Sequence, residues 1–430
     1  MNSRFRRGMP NLVMNWNTKK TLFCLGLSAS LASVVPVQSA PRAAQNQDAT
    51  NGVLSLESVI REVQSHHPAL KSARANWEAL KARVPQARAW EDLRAGLDIE
   101  RAGTARFDTF TDNEWMVAQT LPLSGKNRKR AAAAAAEAVA AFEELRRREL
   151  DLTARAKAAY YRSANAHLQL EINSKNTDLL RQLVEISRTK YEVGRQSQAD
   201  VLTAETDLAK LTEARFDLER QISEAQTQLN VLMNRPAQLP LERPAGLAIE
   251  PAALAGETLQ SSAQARRPEL LVARQKIIAA QARLELAKRS WIPDPELRVE
   301  VRQFNGGGGF QEYDTGLFIN FPWFNRSKYK AAVEEARHSL ASARFDLETI
   351  ERETSGLIRD QLTKITTFHH HYELFRDRVV PLAQQAVRAN QAAYETDKTG
   401  FLELIMARRM VQEVESMLWS HLTDYLTALA

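Results

Sequence analysis

The chain has 430 residues, 26% of them charged and 7% aromatic, with only 16 Gly and 15 Pro. So much Ala, Leu, Glu, Arg and Gln with so few turn formers belongs to long helices and coiled coils, and argues against a sandwich or a Rossmann fold. The net charge of +6 leans on Arg4, Arg6, Arg7, Lys19 and Lys20, so the remainder is close to neutral and offers no basic field for nucleic acid.

Those basic residues precede an apolar stretch from Thr21 to Val37 and the small residues Ser39 and Ala40. A basic start, an apolar middle and a small-residue exit predict a secretory leader over 1–40. The stretch is short for a membrane span and is broken by Pro36. Cys24, the sole cysteine, lies inside it and follows Phe23 rather than the small residue that lipidation requires. The mature chain is therefore expected to have no disulfide and no thiol chemistry. No later segment has ~20 consecutive apolar residues. A membrane, if crossed, is crossed by strands.

The first structural repeat, 41–235, begins its periodic part at His67-Pro68-Ala69-Leu70. From there Leu70, Ala73, Trp77, Leu80, Val84 and Ala87 step in threes and fours, the seam of a helix in a coiled coil. The period then changes. Leu93, Ala95, Leu97 and Ile99 alternate with Arg94, Gly96, Asp98 and Glu100, and Trp115, Val117, Gln119 and Leu121 return after a polar loop. This predicts a hairpin with one apolar face. Leu121-Pro122-Leu123-Ser124-Gly125-Lys126 ends it, and a proline-free stretch from Asn127 to about Lys190 predicts a very long helix. Such a helix is stabilised by neighbours along its length rather than by propensity. The polar block Tyr191-Glu192-Val193-Gly194-Arg195-Gln196-Ser197-Gln198-Ala199-Asp200 reads as a tight turn. Leu208, Leu211, Leu218, Ile222, Ala225, Leu229 and Leu232 then resume the helical pattern.

A linker spans 236–262; its prolines and lack of periodicity suit a segment on the outside. The second repeat, 263–430, takes up the same order. Arg267-Pro268-Glu269-Leu270 opens a seam through Ala273, Ile277, Ala280, Leu284 and Ala287. Leu297, Val299 and Val301 go out, Gly306–Gly309 turns, and Tyr313, Thr315, Leu317, Ile319 and Phe321 come back. Phe321-Pro322-Trp323-Phe324-Asn325-Arg326 closes the hairpin, a second proline-free stretch runs from Lys330 to Val380, and a second polar turn runs from Tyr394 to Ile405. Val411, Val414, Leu418, His421 and Tyr425 return. The strands of both copies gather at one end and the polar turns at the other. A closed barrel needs about eight strands or more. Four per chain therefore imply oligomerisation, and three copies would supply twelve.

The order of elements, the duplication and the two turn blocks resemble the TolC family of outer-membrane efflux channels over essentially the whole mature chain. Gln119 to Lys126, Pro293-Asp294-Pro295-Glu296-Leu297 and Phe321 to Arg326 are most similar to its heavy-metal (cobalt-zinc-cadmium) branch. The resemblance implies a fold that is mainly α with a small β part. A long α-helical coiled-coil barrel would carry four strands per protomer into a trimeric twelve-stranded transmembrane barrel. It implies a homotrimer in the outer membrane of a Gram-negative cell, in contact with its lipid, with a periplasmic helical tunnel. A periplasmic membrane-fusion adaptor and an inner-membrane pump of the resistance–nodulation–division type would be its partners. Heavy-metal cations are the cargo so implied. Drugs, solvents or polypeptides are the alternative cargo.

Within the resemblance the turn blocks face the adaptor and form the gate, which singles out Tyr191, Gly194, Asp200, Tyr394, Lys398, Gly400 and Glu403. Tyr394 would be the constriction tyrosine and Asp200 an acidic partner from the other copy. Thr399 and Gln196 stand where the family often has a basic residue, so Lys398 or Arg195 would have to complete a gating ion pair. Asp397 stands where a tip glycine is expected.

His369, His370 and His371 invite a metal reading, but neighbours on a helix point about 100° apart and three in a row cannot share an ion. They are read as structural or solvated, and no metal site is assigned. His66 and His67 precede a proline at a helix start, where a capping or loop role is expected. The glycine run lacks the Lys-Ser/Thr of a phosphate loop. No constellation suggests catalysis, so neither enzyme activity nor a cofactor is expected. The competing class, a soluble periplasmic coiled-coil scaffold, explains the helices but not the matched hairpins with aromatics near the strand ends.

Overall fold

A computed structural model describes residues 52–100, 112–249, 255–304, 309–396 and 398–430. The expected leader over 1–40 with Cys24, most of the turn in each hairpin and Asp397 lie outside the described residues.

Helices α1 (Leu56–His66) and α2 (Pro68–Arg88) recur two hundred residues later as α5 (Gly256–Arg266) and α6 (Pro268–Arg289). In both copies the first helix stops before a proline that starts the second, because proline gives up no needed N–H at the first position but blocks continuation from behind. His67 caps α2, its Nδ1 accepting from the Ala69 N–H at 3.1 Å. α5 has no apolar stripe, whereas α1 shows one in Leu56, Val59, Ile60 and Val63 behind the Ser55 cap.

Next come the strands β2 (Arg94–Glu100) and β3 (Asp112–Thr120), then β5 (Glu296–Phe304) and β6 (Glu312–Phe318). They form one antiparallel sheet in the order β2-β3-β5-β6. Arg94 lies opposite Ala118, Ala118 opposite Arg298, and Arg298 opposite Gly316. Opposed residues share a face, so this register places every charged strand residue on one side of the sheet and most of the large apolar ones on the other. One face holds Asp98, Glu114, Glu296, Arg298, Glu300 and Arg302, tied across strands by Arg302–Glu114 at 2.9 Å and Arg94–Glu296. The other holds Leu97, Ile99, Trp115, Val117, Leu297, Val299, Val301 and Leu317. In the single chain Leu97, Val117, Val299 and Leu317 are 42–63% exposed. This apolar face has no protein cover, and the outer sides of β2 and β6 have no strand partner among the described residues.

The sheet runs directly into helices. Gly125, at φ +70°, turns the chain from β3 into α3 (Lys126–Glu192), where a Cβ would sit 2.8 Å from the Arg289 guanidinium. At 67 residues α3 spans about 100 Å. It packs on α2, α6, α9 (Phe401–Leu429) and α4 (Gln198–Leu232). Its buried face is largely alanine, with Ala131, Ala134, Ala138, Ala156 and Ala159 all below 10% exposure, which lets backbones approach closely. The second copy spends its counterpart on α7 (Arg326–Leu374) and α8 (Val380–Glu395), joined without a break by a π turn at Phe375–Val379. Val380 donates to the Phe375 carbonyl, and Pro381 follows at once. The wider turn carries the helix through a proline that the sequence reads as its limit.

Midway down α3 the linker is not merely draped. Strand β4 (Arg243–Pro244) pairs in parallel with β1 (Val53–Leu54), a contact invisible in the sequence. The Tyr160 hydroxyl donates to the Leu54 carbonyl and accepts from the Ala245 N–H, both at 3.0 Å. Asn230, fully buried, donates to the carbonyls of Ala237 and Leu239. Around them Val59, Val63, Leu152, Ala156, Leu229 and Met233 make the largest core cluster. Replacing Tyr160→Phe keeps the ring and the direct bond from the Ala245 N–H to the Leu54 carbonyl at 3.1 Å but removes both hydroxyl bonds, so stability is expected to fall by about 1 kcal/mol. Denaturant titration of the purified protein measures this; an unchanged midpoint would mean that the hydroxyl bonds are not kept in solution.

Candidate functional site

The end opposite the sheet is built from the two polar turns. At the C-terminus of α3, Arg195 donates its N–H to the Lys190 carbonyl at 2.8 Å and Gly194 to Tyr191 at 2.9 Å. Gly194 takes φ +75°, the left-handed residue that closes such a helix end. In the second turn Lys398 donates to the Ala393 carbonyl at 2.8 Å, the same six-residue closure. Ser197 caps α4 by accepting from the Asp200 N–H at 3.2 Å. Asp200 and Glu403 each sit in the first turn of the returning helix, where the exposed N–H groups favour a carboxylate.

Tyr394 is 9% exposed, packed with Leu180, Leu183, Val184, Phe401, Leu404 and Ile405. Its hydroxyl donates to Gln196 Oε1 at 3.1 Å, and the Lys190 ammonium lies 3.9 Å from its ring centroid. The Tyr394 hydroxyl thus reaches the other copy through Gln196. Asp200 lines the same hollow of about 490 Å³, with Arg195, Thr399 and Gly400. No ion pair joins Asp200 to Arg195 or Lys398 among the described residues. Tyr191 and Lys398 are exposed on the rim.

Two helical turns further in, the copies are tied by a pair that sequence reasoning missed. Arg409 of α9 grips Asp207 of α4 with both arms, Nε to Oδ2 at 2.7 Å and Nη2 to Oδ1. Asp207 is 5% exposed. A carboxylate at a helical core position of α4 was the available signal, masked by the many solvated charges around it. Arg408, next door, is pushed down by burial and donates to Gln391 at 3.3 Å.

The histidines disperse. His369 meets the Tyr425 ring and lies 3.4 Å from Glu373, His370 is exposed, and His371 packs at 5.1 Å from His421. Among the described residues, no group of three His, Cys, Asp or Glu side chains comes together to hold a metal ion. Burial, aided by His371 and opposed by Asp424, pushes His421 below the ordinary imidazole range.

With this geometry in hand the comparisons are specific. Residues 59–235 and 259–430 match the outer membrane efflux protein family. The chain belongs to that family. That family is one of outer-membrane transport proteins, not of enzymes. The alkaline protease secretion protein AprF of Pseudomonas aeruginosa is 24% identical over 316 residues, 68% of this chain and 63% of AprF. The toluene efflux pump outer membrane protein TtgF of Pseudomonas putida is 22% identical over 330 residues, 73% of this chain and 66% of TtgF. The chain thus spans just under two thirds of these relatives. The outer membrane channel CmeC of Campylobacter jejuni superposes with a TM-score of 0.76 over 87% of this chain and 84% of CmeC, at 13% identity. That likeness shows the fold: mainly helical, with a small strand part continuous with the helices.

Two expectations follow from the site. Arg409→Ala strands a buried carboxylate and should cost about 3 kcal/mol, whereas Asp207→Ala leaves a half-exposed guanidinium free to hydrate and should cost about 1 kcal/mol. Thermal unfolding of both variants checks the order, and a reversal would sink the assignment. For His421 a depressed folded pKa means that the neutral ring is the stabilising form. Stability is then complete above the ordinary value near 6.5 and is lost as pH falls below it toward the folded pKa. His67 and His167 are also lowered by burial, and act in the same direction. Melting should therefore occur at lower temperature at pH 5.5 than at pH 7.5, and by a smaller margin in His421→Gln.

Proposed function

We propose that three copies of the chain close one twelve-stranded barrel in the outer membrane and continue as a helical tunnel through the periplasm. The tunnel would be the exit duct of a tripartite efflux system. The carrying observation is the sheet: one face charged and cross-paired, the other apolar and bare, with both edges open. In hydrocarbon every backbone donor must be paired, so an open sheet is excluded there and a closed barrel is allowed. The apolar face then meets lipid and the charged face lines water. Strands of seven and nine residues are near the length needed to cross when tilted. A soluble scaffold offers no use for such a face.

The opposite end is the docking end. Tyr191, Gly194, Lys398 and Gly400 form the rim offered to a periplasmic adaptor, which couples the duct to an inner-membrane pump of the resistance–nodulation–division type. Asp200, Tyr394 and Glu403 sit at the mouth and set its closure. The packed position of Tyr394 against Gln196 and Lys190 supports a closed tip held together within each chain.

The cargo reading is heavy-metal cations, supported by the hairpin-end motifs Gln119 to Lys126, Pro293 to Leu297 and Phe321 to Arg326. A second reading, apolar small molecules or a secreted polypeptide, is favoured by the relatives AprF and TtgF. A wide aqueous duct selects little by itself; the pump selects. Deleting the gene should lower tolerance to zinc, cobalt and cadmium. Unchanged metal tolerance with greater sensitivity to toluene or drugs would transfer the cargo to the second reading, and protein recovered in the soluble fraction would defeat the duct itself.

A further inference from the structure

The two copies inside one chain meet along a seam, and its parts are repeated, unpartnered, on the chain's two outer edges. In the internal seam Lys126 reaches Asp294 Oδ2 at 2.9 Å and the Ile292 carbonyl at 2.6 Å. Ser124 donates its N–H to Asp294 Oδ1 at 3.1 Å, Leu121 donates to the Pro295 carbonyl at 2.8 Å, and Thr120 lies opposite Glu296. Both charged side chains are well covered, Lys126 at 13% and Asp294 at 19% exposed. Burial raises the Asp294 carboxyl, and its bonds from Ser124 and Lys126 more than reverse this, holding it below the usual carboxylate range.

The repeat fixes the counterparts. Leu121-Pro122 to Lys126 corresponds to Phe321-Pro322 to Arg326. In the hairpins Arg94 opposes Ala118 and Glu296 opposes Phe318. With Ala118 matched to Phe318, Arg94 matches Glu296, and Asp92 matches Asp294, each two residues before its strand. Arg326 and Asp92 are both exposed, and neither has an ion-pair partner among the described residues. Apolar bulk is bare on the same two edges. Phe324 is 90% exposed where its counterpart Ser124 is buried, and Trp90 is 61% exposed across from it in the repeat. One tie is not repeated: Glu137 takes Arg283 across the internal seam and Arg83 of its own copy, but its counterpart is Arg337.

We infer that neighbouring copies join through a replica of the internal seam, with Arg326 of one copy seated on Asp92 of the next and β6 paired antiparallel to β2 with Leu317 opposite Leu97. This rests on the reading that the barrel closes from several copies, and it adds the register and the ion pair that set the closure. Transferring the Thr120–Glu296 pairing by the repeat places Asn320 opposite Arg94, and hence Leu317 opposite Leu97. A slip of one residue would turn the bare apolar side chains of one strand into the barrel. The tie from Arg326 to Asp92 is the charge-assisted device available against slips of two, since the lower tie is lost.

Paired cysteines test the register in the full-length chain. Directly opposed residues have Cα atoms about 4.5–5.5 Å apart, within disulfide reach, while a two-residue offset is about 7–8 Å. Within one chain β2 and β6 are three strand spacings apart, about 14 Å, so any bond is between copies. Oxidised outer membranes carrying Leu97→Cys with Leu317→Cys should give a covalent ladder that ends at three copies, at least tenfold more than Ala95→Cys or Ile99→Cys with Leu317→Cys. Charge reversal tests the tie: Asp92→Arg or Arg326→Asp alone should reduce detergent-stable oligomer severalfold, and the two together should restore it. If an offset pair links best, or no pair links while the parent chain is a trimer by native mass spectrometry, the inferred seam is wrong. A parent chain that is monomeric in that measurement removes the barrel reading itself.

Discussion

A peptide group in hydrocarbon has no water to bind, and that one constraint organises this chain. A sheet placed there must be closed, so in the proposed barrel its edges would find partners of the same kind. One chain provides four strands, and a barrel needs more. Duplication supplies the answer, because a seam that works inside the chain can be used again between chains. The helices follow from the strands. β3 passes through one proline-led corner into α3, and β6 through another into α7, so the strand spacing at the top fixes where the long helices start.

Below the sheet the same chain must hold together in water without a thick core. It does so with alanine faces along α3 and with discrete polar ties where the packing thins. Tyr160 and Asn230 secure the linker at mid-length. Asp207 and Arg409 lock α4 to α9 near the tip, and Gln196 receives Tyr394 at the turn itself. Surface ion pairs are abundant along the helices, but most are exposed and worth little each. The buried or half-buried ties, which have few substitutes, carry the specificity.

The hairpins were legible because a two-residue period survives noise. The residues assigned to the apolar face, from Leu97 to Leu317, all lie on that face in the observed register. The long helices were legible from the absence of proline. Part of what stayed hidden depends on partners far away in sequence. β1 and β4 are two residues each and pair across nearly two hundred positions. α5 is short and weakly patterned, whereas α1 carries a legible apolar stripe in Leu56, Val59, Ile60 and Val63. The π turn before Pro381 cannot be read from composition. At the tip the polar blocks from Tyr191 to Asp200 and from Tyr394 to Glu403 do form turns between helices, but the sequence set Asp200 as the partner of Tyr394. The pairing of Tyr394 with Gln196 needed three-dimensional placement, because one turn of helix decides which polar side chain is nearest.

The π turn also gives the tube a mechanical grain. α3 is one unbroken rod, whereas its counterpart has a joint at Phe375–Val379, where the hydrogen-bond ladder widens and a proline removes a donor. In a ring of three chains the wall then consists of stiff staves alternating with jointed ones. Six helices look alike from outside, yet compliance varies with threefold rather than sixfold periodicity. In the proposed trimer, bending of the lower tube would be taken up every 120°, in the second copy, while the first would keep the barrel and the tip in register.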